Sequence, residues 1–422
     1  MKPSPPKTIS PAGLSRRSFF KTGGLAALAG FSGWPSPRQD EASRITIPTY
    51  QSIGVRPIIN CLGTHTNRGG SLMLPEVMQA MEEANKHYVR MDELMEGVGK
   101  RLAELTGAEW GIVTSGAAAA MFAGTCACVA GADPEKMARL PDTTGMKSKV
   151  LVPKGHRHIY DRAIWMAGVT MNEVESLQAM EAAIDDSTAL ISVLGEILDQ
   201  SEISLEDMIR LGKKHGIPVM VDAAAERPDV PDRYVKAGAD LVAYSGGKCL
   251  RGPQGAGILL GRKDLVKAAF LNVSPHHAVG RPMKVGKEGI MGTLAAMEMW
   301  VHGRNHKAEW REWERKLTSI NNKINSIPSV ISKMNNPELR SNVAPSLSIS
   351  WDQKIVKITP REASEQLYDG EPAIEMPFED AGLTIMSYML ESGDELWVGR
   401  RLDEVLSQAV KEKVRQHGEG DR

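Results

Sequence analysis

A turn of small residues is the first group in this sequence that could do chemistry on a small molecule. The turn Ser115-Gly116-Ala117 follows a short apolar run at residues 111–114 and precedes an Ala-rich segment. Small residues let backbone N–H groups approach a phosphate, and the start of a helix favours an anion. Many turns in α/β proteins look similar, so this turn alone indicates only a candidate phosphate site.

Asp222 and Lys248 form the second group. Asp222 closes the apolar run 217–221, and Lys248 follows the Gly-rich turn Ser245-Gly246-Gly247. A carboxylate at the end of a buried strand can hold a protonated ring nitrogen, and it can equally cap a turn. A lysine after a buried strand can form an imine with an aldehyde, although most lysines are solvated surface residues.

The elements that must position these residues follow from the hydrophobic pattern. Short apolar runs alternate with helical segments and end at the candidate residues, which predicts a doubly wound α/β domain with a mainly parallel sheet. We predict strands at residues 111–114, 150–152, 169–171, 189–194, 217–221, 241–244 and 258–260. We predict helices at residues 75–105, 115–130, 159–167, 177–184 and 204–215, with Ser204 as an N-cap and Gly107 ending the first.

The pattern changes near Lys287. A long helix carrying Trp300, Trp310 and Trp313 is predicted, followed by strands near residues 346–349 and 383–386 and a last helix beginning near Arg401. This part indicates a smaller α+β domain. We therefore divide the chain into residues 1–44, a large domain at 45–286 and a small C-terminal domain at 287–422.

Composition excludes several classes of function. The chain has 422 residues and a formal net charge of −1, so neither nucleic acid nor an anionic membrane is an expected partner. No apolar run is long enough for a transmembrane helix, so stable membrane insertion is not expected. The four cysteines form no C-x-x-C pair, which favours buried structural thiols. His156 and His158 lack a third ligand, so no metal site is expected.

The N-terminal segment has the features of a targeting signal. The run Ser15-Arg16-Arg17-Ser18-Phe19-Phe20-Lys21 precedes a weakly apolar stretch at residues 22–34. This arrangement resembles a twin-arginine export signal, and a disordered basic tail is the alternative. It predicts recognition by the twin-arginine export machinery and a periplasmic or otherwise extracytoplasmic location.

The order of phosphate turn, Asp222 and Lys248 resembles the type I, aspartate-aminotransferase-like family of pyridoxal 5′-phosphate enzymes. Within it the chain is similar to the selenocysteine synthase-like branch, which includes glucosaminate-6-phosphate ammonia-lyase. The segments that carry this narrower resemblance are Ile59-Asn60, Thr64-His65-Thr66-Asn67, Ser245-Gly246-Gly247-Lys248, Gly252-Pro253-Gln254 and residues 280–288. The resemblance implies a type I fold and pyridoxal 5′-phosphate as cofactor.

The resemblance also implies roles for individual residues. Lys248 would carry the cofactor as a Schiff base, and Asp222 would pair with its pyridine nitrogen. Ser115, Gly116, Ala117 and Ser245 would lie at its phosphate. His156 would stack on the ring beside a polar contact from Arg157, or both would be ordinary loop residues. Thr66, Arg281, Lys284 and Lys287 are candidates for binding a substrate or phosphate group.

The basic cluster of Arg281, Lys284 and Lys287 would act in a neighbouring subunit, or it is a solvated basic face. The first of these agrees with the homodimer or larger homo-oligomer that the resemblance implies.

A departure from the family pattern argues against selenocysteine synthesis. Those synthases usually continue His-Thr-Asn with Leu-Gly-Arg, whereas this chain has Arg68-Gly69-Gly70. An exported protein would also not meet seryl-tRNA.

We expect a lyase that releases ammonia from an amino acid or amino-sugar acid by α,β-elimination. An aminotransferase or racemase is the alternative, and a non-catalytic binding protein on the same fold is the second.

Overall fold

The computed structural model describes residues 47–416, so the predicted twin-arginine segment and its linker lie outside the described residues. Residues 47–55 belong to a separate N-terminal unit and contain one 3-10 turn, Gln51–Ile53. The remaining described residues, 56–416, form the main unit. Within residues 47–416, no helix is long and apolar enough to cross a membrane.

The strands build three sheets. Their bounds are β1 (Ile58–Asn60), β2 (Trp110–Thr114), β3 (Lys149–Pro153), β4 (Thr170–Val174), β5 (Thr188–Leu194), β6 (Val219–Asp222), β7 (Leu241–Ser245), β8 (Gly257–Gly261), β9 (Ile331–Asn335), β10 (Ser346–Ser350), β11 (Ala373–Glu375), β12 (Phe378–Glu379) and β13 (Gly382–Met386). Among residues 56–416, the largest sheet has seven strands in the order β2-β8-β7-β6-β5-β3-β4. Only β8 runs antiparallel to its neighbours, so the predicted mainly parallel sheet is confirmed.

A second sheet of four antiparallel strands has the order β12-β13-β10-β9, and β1 pairs in parallel with β11. A large hydrophobic cluster fills the space around the seven-stranded sheet and extends to Trp300. A smaller cluster covers the four-stranded sheet and includes Leu317, Ile349 and Leu402. The predicted domain boundary at residue 286 stays a prediction.

The helices cover the sheets. Their bounds are α1 (Pro75–Asn85), α2 (Met91–Thr106), α3 (Ala117–Ala130), α4 (Pro134–Arg139), α5 (Asp161–Trp165), α6 (Leu177–Ala183), α7 (Leu205–His215), α8 (Arg233–Ala237), α9 (Lys263–Leu271), α10 (Lys287–Glu298), α11 (His306–Ile324), α12 (Pro360–Asp369) and α13 (Asp394–Gln416). The Ser204 side chain accepts a hydrogen bond from Asp207 N–H, and Gly107 ends α2 with φ of 77°, as predicted.

Two helices that the sequence predicted to be continuous are interrupted in the structure. The helix expected at residues 75–105 is divided into α1 and α2. Tyr88, between them, has the helical spacing of the apolar residues but is fully exposed, so its burial does not stabilise a continuous helix. The long helix expected after Lys287 is interrupted by a π-helical turn, Met299–Gly303. There the Asn305 side chain caps a new helix by accepting from Ala308 N–H.

Smaller differences concern helix length. The helix expected at residues 159–167 is the single turn α5, and the last helix begins at Asp394 rather than near Arg401.

Of the four free cysteines, Cys61 and Cys126 are fully buried and Cys128 and Cys249 are half-buried. Burial raises the pKa of the Cys249 thiol to about 11. These thiols are therefore protonated near neutral pH and suited to packing.

Candidate active site around Lys248

The register of the seven-stranded sheet brings the predicted residues to one edge. Gly257, the first residue of β8, pairs with Thr114 at the end of β2 and with Ser245 at the end of β7. Asp222 ends β6 and pairs with Ala243 of β7. Ligands of open α/β sheets bind at this edge, so the structure assembles what the sequence placed at separate strand ends.

The turn before α3 has a conformation suited to an anion. Gly116 is the N-cap with φ of 94°, and no side chain caps the helix. Gly257 packs so closely that a Cβ there would lie 2.3 Å from the Gly116 carbonyl carbon and 2.5 Å from Ala117 N. The first-turn N–H groups of α3 have no side-chain cap and are therefore available to an anion, as at helix N-termini that bind phosphate.

Lys248 and Asp222 line one cavity of about 290 Å³ together with His158, Glu196, Glu226 and Ser341. Asp222 is 6% exposed, and burial raises the pKa of its carboxyl group. Its Oδ1 accepts a hydrogen bond from Ala224 N–H at 3.0 Å. Burial lowers the pKa of Lys248, and the negative charge of Asp222 partly opposes that shift.

Glu226, one of the residues that line this cavity, forms an ion pair with Arg340. Glu226 is 2% exposed, accepts from the Tyr234 hydroxyl at 2.7 Å and pairs with Arg340 Nε at 2.9 Å. Burial raises the pKa of Glu226, while Tyr234 and Arg340 act in the opposite direction. Asn342 N–H donates to the Ala225 carbonyl at 2.9 Å. The segment around Arg340 is thereby held against the end of β6.

The structure separates His156 and Arg157 from this cavity. His156 is buried, and its Nδ1 accepts a hydrogen bond from Leu194 N–H at 3.1 Å. It borders a different cavity of about 460 Å³. Arg157 Nε pairs with Asp161 at 2.5 Å, and its guanidinium lies over the Trp165 ring. Their predicted contacts with the cofactor stay predictions.

The remaining predicted residues lie near the site or away from it. The Thr66 carbonyl accepts from Gln254 Nε2 at 3.2 Å, which places this exposed residue beside the turn that carries Lys248. Arg281 donates to Ser274 Oγ at 3.2 Å, Lys287 donates to the Ala84 carbonyl at 2.8 Å, and Lys284 is exposed. None of these four lines the Lys248 cavity within the described chain.

Four residues in or beside the cavity were missed from the sequence. Glu196 follows β5, and His158 lies five residues after β3, so the strand-end argument that found Asp222 could have found both. Glu226 and Arg340 meet only through tertiary packing, and the sequence has no local signal for their pairing.

Comparison with known proteins identifies the family. The aminotransferase class-V family matches residues 72–284, which is half of the chain. The chain belongs to this family. Family membership confirms the type I fold and establishes this protein as a pyridoxal 5′-phosphate-dependent enzyme, as the resemblance implied.

Individual relatives indicate which branch of the family this chain resembles. A 5′-C-glycyluridine monooxygenase-decarboxylase from Streptomyces sp. is 32% identical over 309 residues, covering 70% of this chain and 75% of the relative. A D-glucosaminate-6-phosphate ammonia lyase from Salmonella typhimurium is 33% identical over 266 residues, covering 60% and 70%. An L-seryl-tRNA(Sec) selenium transferase from Geotalea daltonii is 28% identical over 280 residues, covering 58% and 56%. The predicted resemblance to the selenocysteine synthase-like branch is confirmed.

A solved structure of D-glucosaminate-6-phosphate ammonia-lyase superposes on this aminotransferase class-V chain with a TM-score of 0.76 and 26% identity. It covers 86% of this chain and 100% of the other. The residues present here fit the family's cofactor: a half-buried lysine and a buried carboxylate share a cavity, and a helix without a side-chain cap begins at the same sheet edge.

Proposed function

We propose that this enzyme is a lyase that releases ammonia from an amino acid or amino-sugar acid by α,β-elimination. The observation that carries the proposal is the cavity shared by Lys248 and Asp222. The likeness to D-glucosaminate-6-phosphate ammonia lyase supports the reaction type. A β-hydroxylated substrate would lose water, and hydrolysis would return that water and release ammonia and a 2-oxo acid.

Pyridoxal 5′-phosphate, when bound, supplies an electron sink for negative charge at the α-carbon of the substrate. The chain's own groups handle the protons. Lys248 Nζ would accept the α-proton as general base, because its lowered pKa increases the fraction of neutral amine near neutral pH. Asp222 would keep a protonated ring nitrogen paired inside the cavity. The uncapped start of α3, together with Ser245, would hold the phosphate.

Product analysis tests the reaction type. We expect ammonia and a 2-oxo acid in equal amounts without any added 2-oxo acid acceptor. An aminotransferase would need the acceptor, and a racemase would give the opposite enantiomer without ammonia. We expect Lys248→Ala to abolish turnover and the yellow absorption that borohydride removes. Full turnover by that variant, or a protein that never binds the cofactor, would refute the proposal and favour a non-catalytic binding protein.

Decarboxylation is a second candidate, favoured by the likeness to the monooxygenase-decarboxylase. Carbon dioxide release and oxygen uptake, measured on the same substrate panel, distinguish it from elimination. Carbon dioxide without ammonia would replace the first proposal with this one.

We propose that the protein is exported by the twin-arginine route. The support is the sequence of residues 15–21, which the structure does not describe. A reporter fused after residue 44 should leave the cytoplasm, and the paired substitutions Arg16→Lys and Arg17→Lys should retain it there. Export of the doubly substituted protein would contradict the proposal.

We also propose that each active site is completed by a second copy of the chain. Arg281 and Lys284 are exposed and outside the cavity of their own chain. Mixing Lys248→Ala subunits with Arg281→Ala/Lys284→Ala subunits should then restore activity, because one hybrid site would be intact. A monomeric mass in solution with full activity would contradict this arrangement.

A further inference from the structure

A cavity of about 20 Å³ lies beside the Lys248 cavity and has no role in the mechanism above. Its charged and aromatic lining consists of Arg227, Arg251, Arg304, Trp300, Trp313 and Tyr388. Glu226 lines the larger cavity and the next residue, Arg227, lines the smaller one. Lys248 and Cys249 are divided between the two cavities in the same way. The smaller space, called here the Arg227 cavity, holds about one water molecule or one ion of similar size.

Arg227 is the charged group of this cavity that lacks a counter-ion. Its side chain is half-buried, and within the part of the chain that the structure describes it forms no hydrogen bond or ion pair. Its Cζ lies 5.0 Å from the centre of the Trp300 ring and 5.9 Å from that of Trp313. These contacts with the rings attract the cation but leave its N–H donors without acceptors. Burial lowers the pKa of Arg227, because its charge is incompletely compensated.

Arg304 increases this imbalance. Its side chain is 6% exposed, pairs with Glu309 at 2.7 Å and donates to the Cys249 carbonyl at 2.6 Å. The carboxylate of Glu309 is therefore already engaged by Arg304. The positive charge of Arg304 also lowers the pKa of Arg227, so the two guanidinium groups repel each other.

A count of charges around the Arg227 cavity leaves one cation in excess. The third arginine, Arg251, pairs with Glu391 at 3.0 Å. The Cys249 thiol is protonated near neutral pH, because burial raises its pKa to about 11, and it contributes no negative charge. A second copy of the chain that brought Arg281 and Lys284 to the neighbouring cavity would add positive charge and would not neutralise this excess.

We propose that the Arg227 cavity binds one small monovalent anion, a chloride ion or another halide of similar size. The ion accepts hydrogen bonds from Arg227 and weakens the repulsion between Arg227 and Arg304. Because Arg304 also holds the Cys249 carbonyl, the bound ion stabilises the turn that carries Lys248. The small volume excludes sulfate, phosphate and organic carboxylates. The site is independent of the reaction that the enzyme catalyses.

Thermal unfolding in two sodium salts tests the binding. The cofactor-loaded protein is compared in chloride and in gluconate at equal ionic strength, so that general screening by salt cancels. Gluconate is too large for the cavity. We expect the unfolding midpoint to rise with chloride and to saturate at about 2 °C above its value in gluconate.

Three variants assign the effect to the cavity. Arg227→Met keeps an unbranched side chain beside the two tryptophans but removes the charge, so the chloride-dependent rise should fall below about 0.5 °C. Arg227→Lys keeps the charge and should retain part of the rise. Arg233→Met is the matched control, because Arg233 also lies over an aromatic ring, at 5.1 Å from the Tyr234 ring centre, and does not line this cavity. It should retain the whole rise.

Bromide locates the ion directly. Crystals of the wild-type protein grown in sodium bromide should show one anomalous-scattering peak in contact with Arg227 inside the cavity. A wild-type map without that peak overturns the proposal, whether or not the variants fold. Equal midpoints in chloride and gluconate, or a chloride effect that persists unchanged in Arg227→Met, also overturn it. A carboxylate of a second copy seated on Arg227 would do the same, because it would take the place of the anion.

Discussion

The imidazole Nε2 of His158 lies 3.5 Å from Oδ2 of Asp222, inside the cavity that also contains Lys248. His156, two residues earlier, instead accepts a hydrogen bond from the backbone of Leu194. The loop after β3 therefore directs its two histidines to different surroundings. His158, which lies beside the predicted cofactor partner Asp222, was not predicted from the sequence to contact the cofactor.

We predict that His158 contributes to cofactor binding. Removing an aromatic ring from its contacts typically loses about 1 kcal/mol, so His158→Ala should weaken cofactor affinity by about fivefold. Titration of the apo protein with pyridoxal 5′-phosphate, followed by absorption, measures the effect. His156→Asn serves as the comparison and should retain most of the affinity. If His156→Asn weakened cofactor affinity more than His158→Ala, His156 would be the histidine that contacts the cofactor ring.

Gly257 should be required for the shape of the phosphate turn. A Cβ in Gly257→Ala would meet the backbone of Gly116 and Ala117, so the start of α3 must move. We expect a loss of about 1–3 kcal/mol in the free energy of unfolding and at least about tenfold weaker cofactor binding. Gly255→Ala is the control, because a Cβ there has open space. Equal cofactor affinity in both variants would argue against a phosphate at this turn.

The Glu226–Arg340 pair should couple the segment around residue 340 to the wall of the cavity. Arg340→Ala leaves a buried carboxylate with only the Tyr234 hydroxyl, and it should lower the free energy of unfolding by about 1–3 kcal/mol. Glu226→Gln combined with Arg340→Ala should recover part of that loss, because no unpaired charge remains. Asp229→Asn, which removes the exposed second partner of Arg340, should change stability by less than about 0.5 kcal/mol. Denaturant unfolding of the wild type, of Glu226→Gln and Arg340→Ala singly and of the double variant supplies the cycle, and strictly additive losses would contradict the coupling.

His156 should make stability depend on pH. Burial and the nearby His158 lower its pKa to about 4 from the ordinary 6.5. Between these values the unfolded chain binds a proton that the folded chain does not. The contribution of His156 is therefore complete above about pH 6.5 and is lost as pH falls toward 4, by up to about 3 kcal/mol. His156→Asn keeps an acceptor for Leu194 N–H but does not titrate, so denaturation midpoints measured from pH 7 to 4 should fall less steeply. Equal slopes in the two proteins would show that His156 is protonated without penalty.

The sequence determined the architecture of the sheet and the residues at its strand ends. Strands buried on both faces appear as short apolar runs, so β5, β6 and β7 could be recognised locally, and Asp222 and Lys248 follow from where those runs stop. Helix continuity was less predictable. Tyr88 fits a helical apolar stripe by spacing, yet nothing in the sequence shows that it is exposed.

The tertiary structure alone decided which side chains share the Lys248 cavity. His156 and His158 both follow β3 closely, so the sequence does not show which of them faces Asp222. The folded backbone directs His158 toward Asp222 and His156 toward the Leu194 N–H. Arg340 meets Glu226 across more than a hundred residues of chain, which no local pattern encodes. Local periodicity fixes where a strand ends, but the direction of a side chain and its partner depend on burial and charge contributed by distant segments.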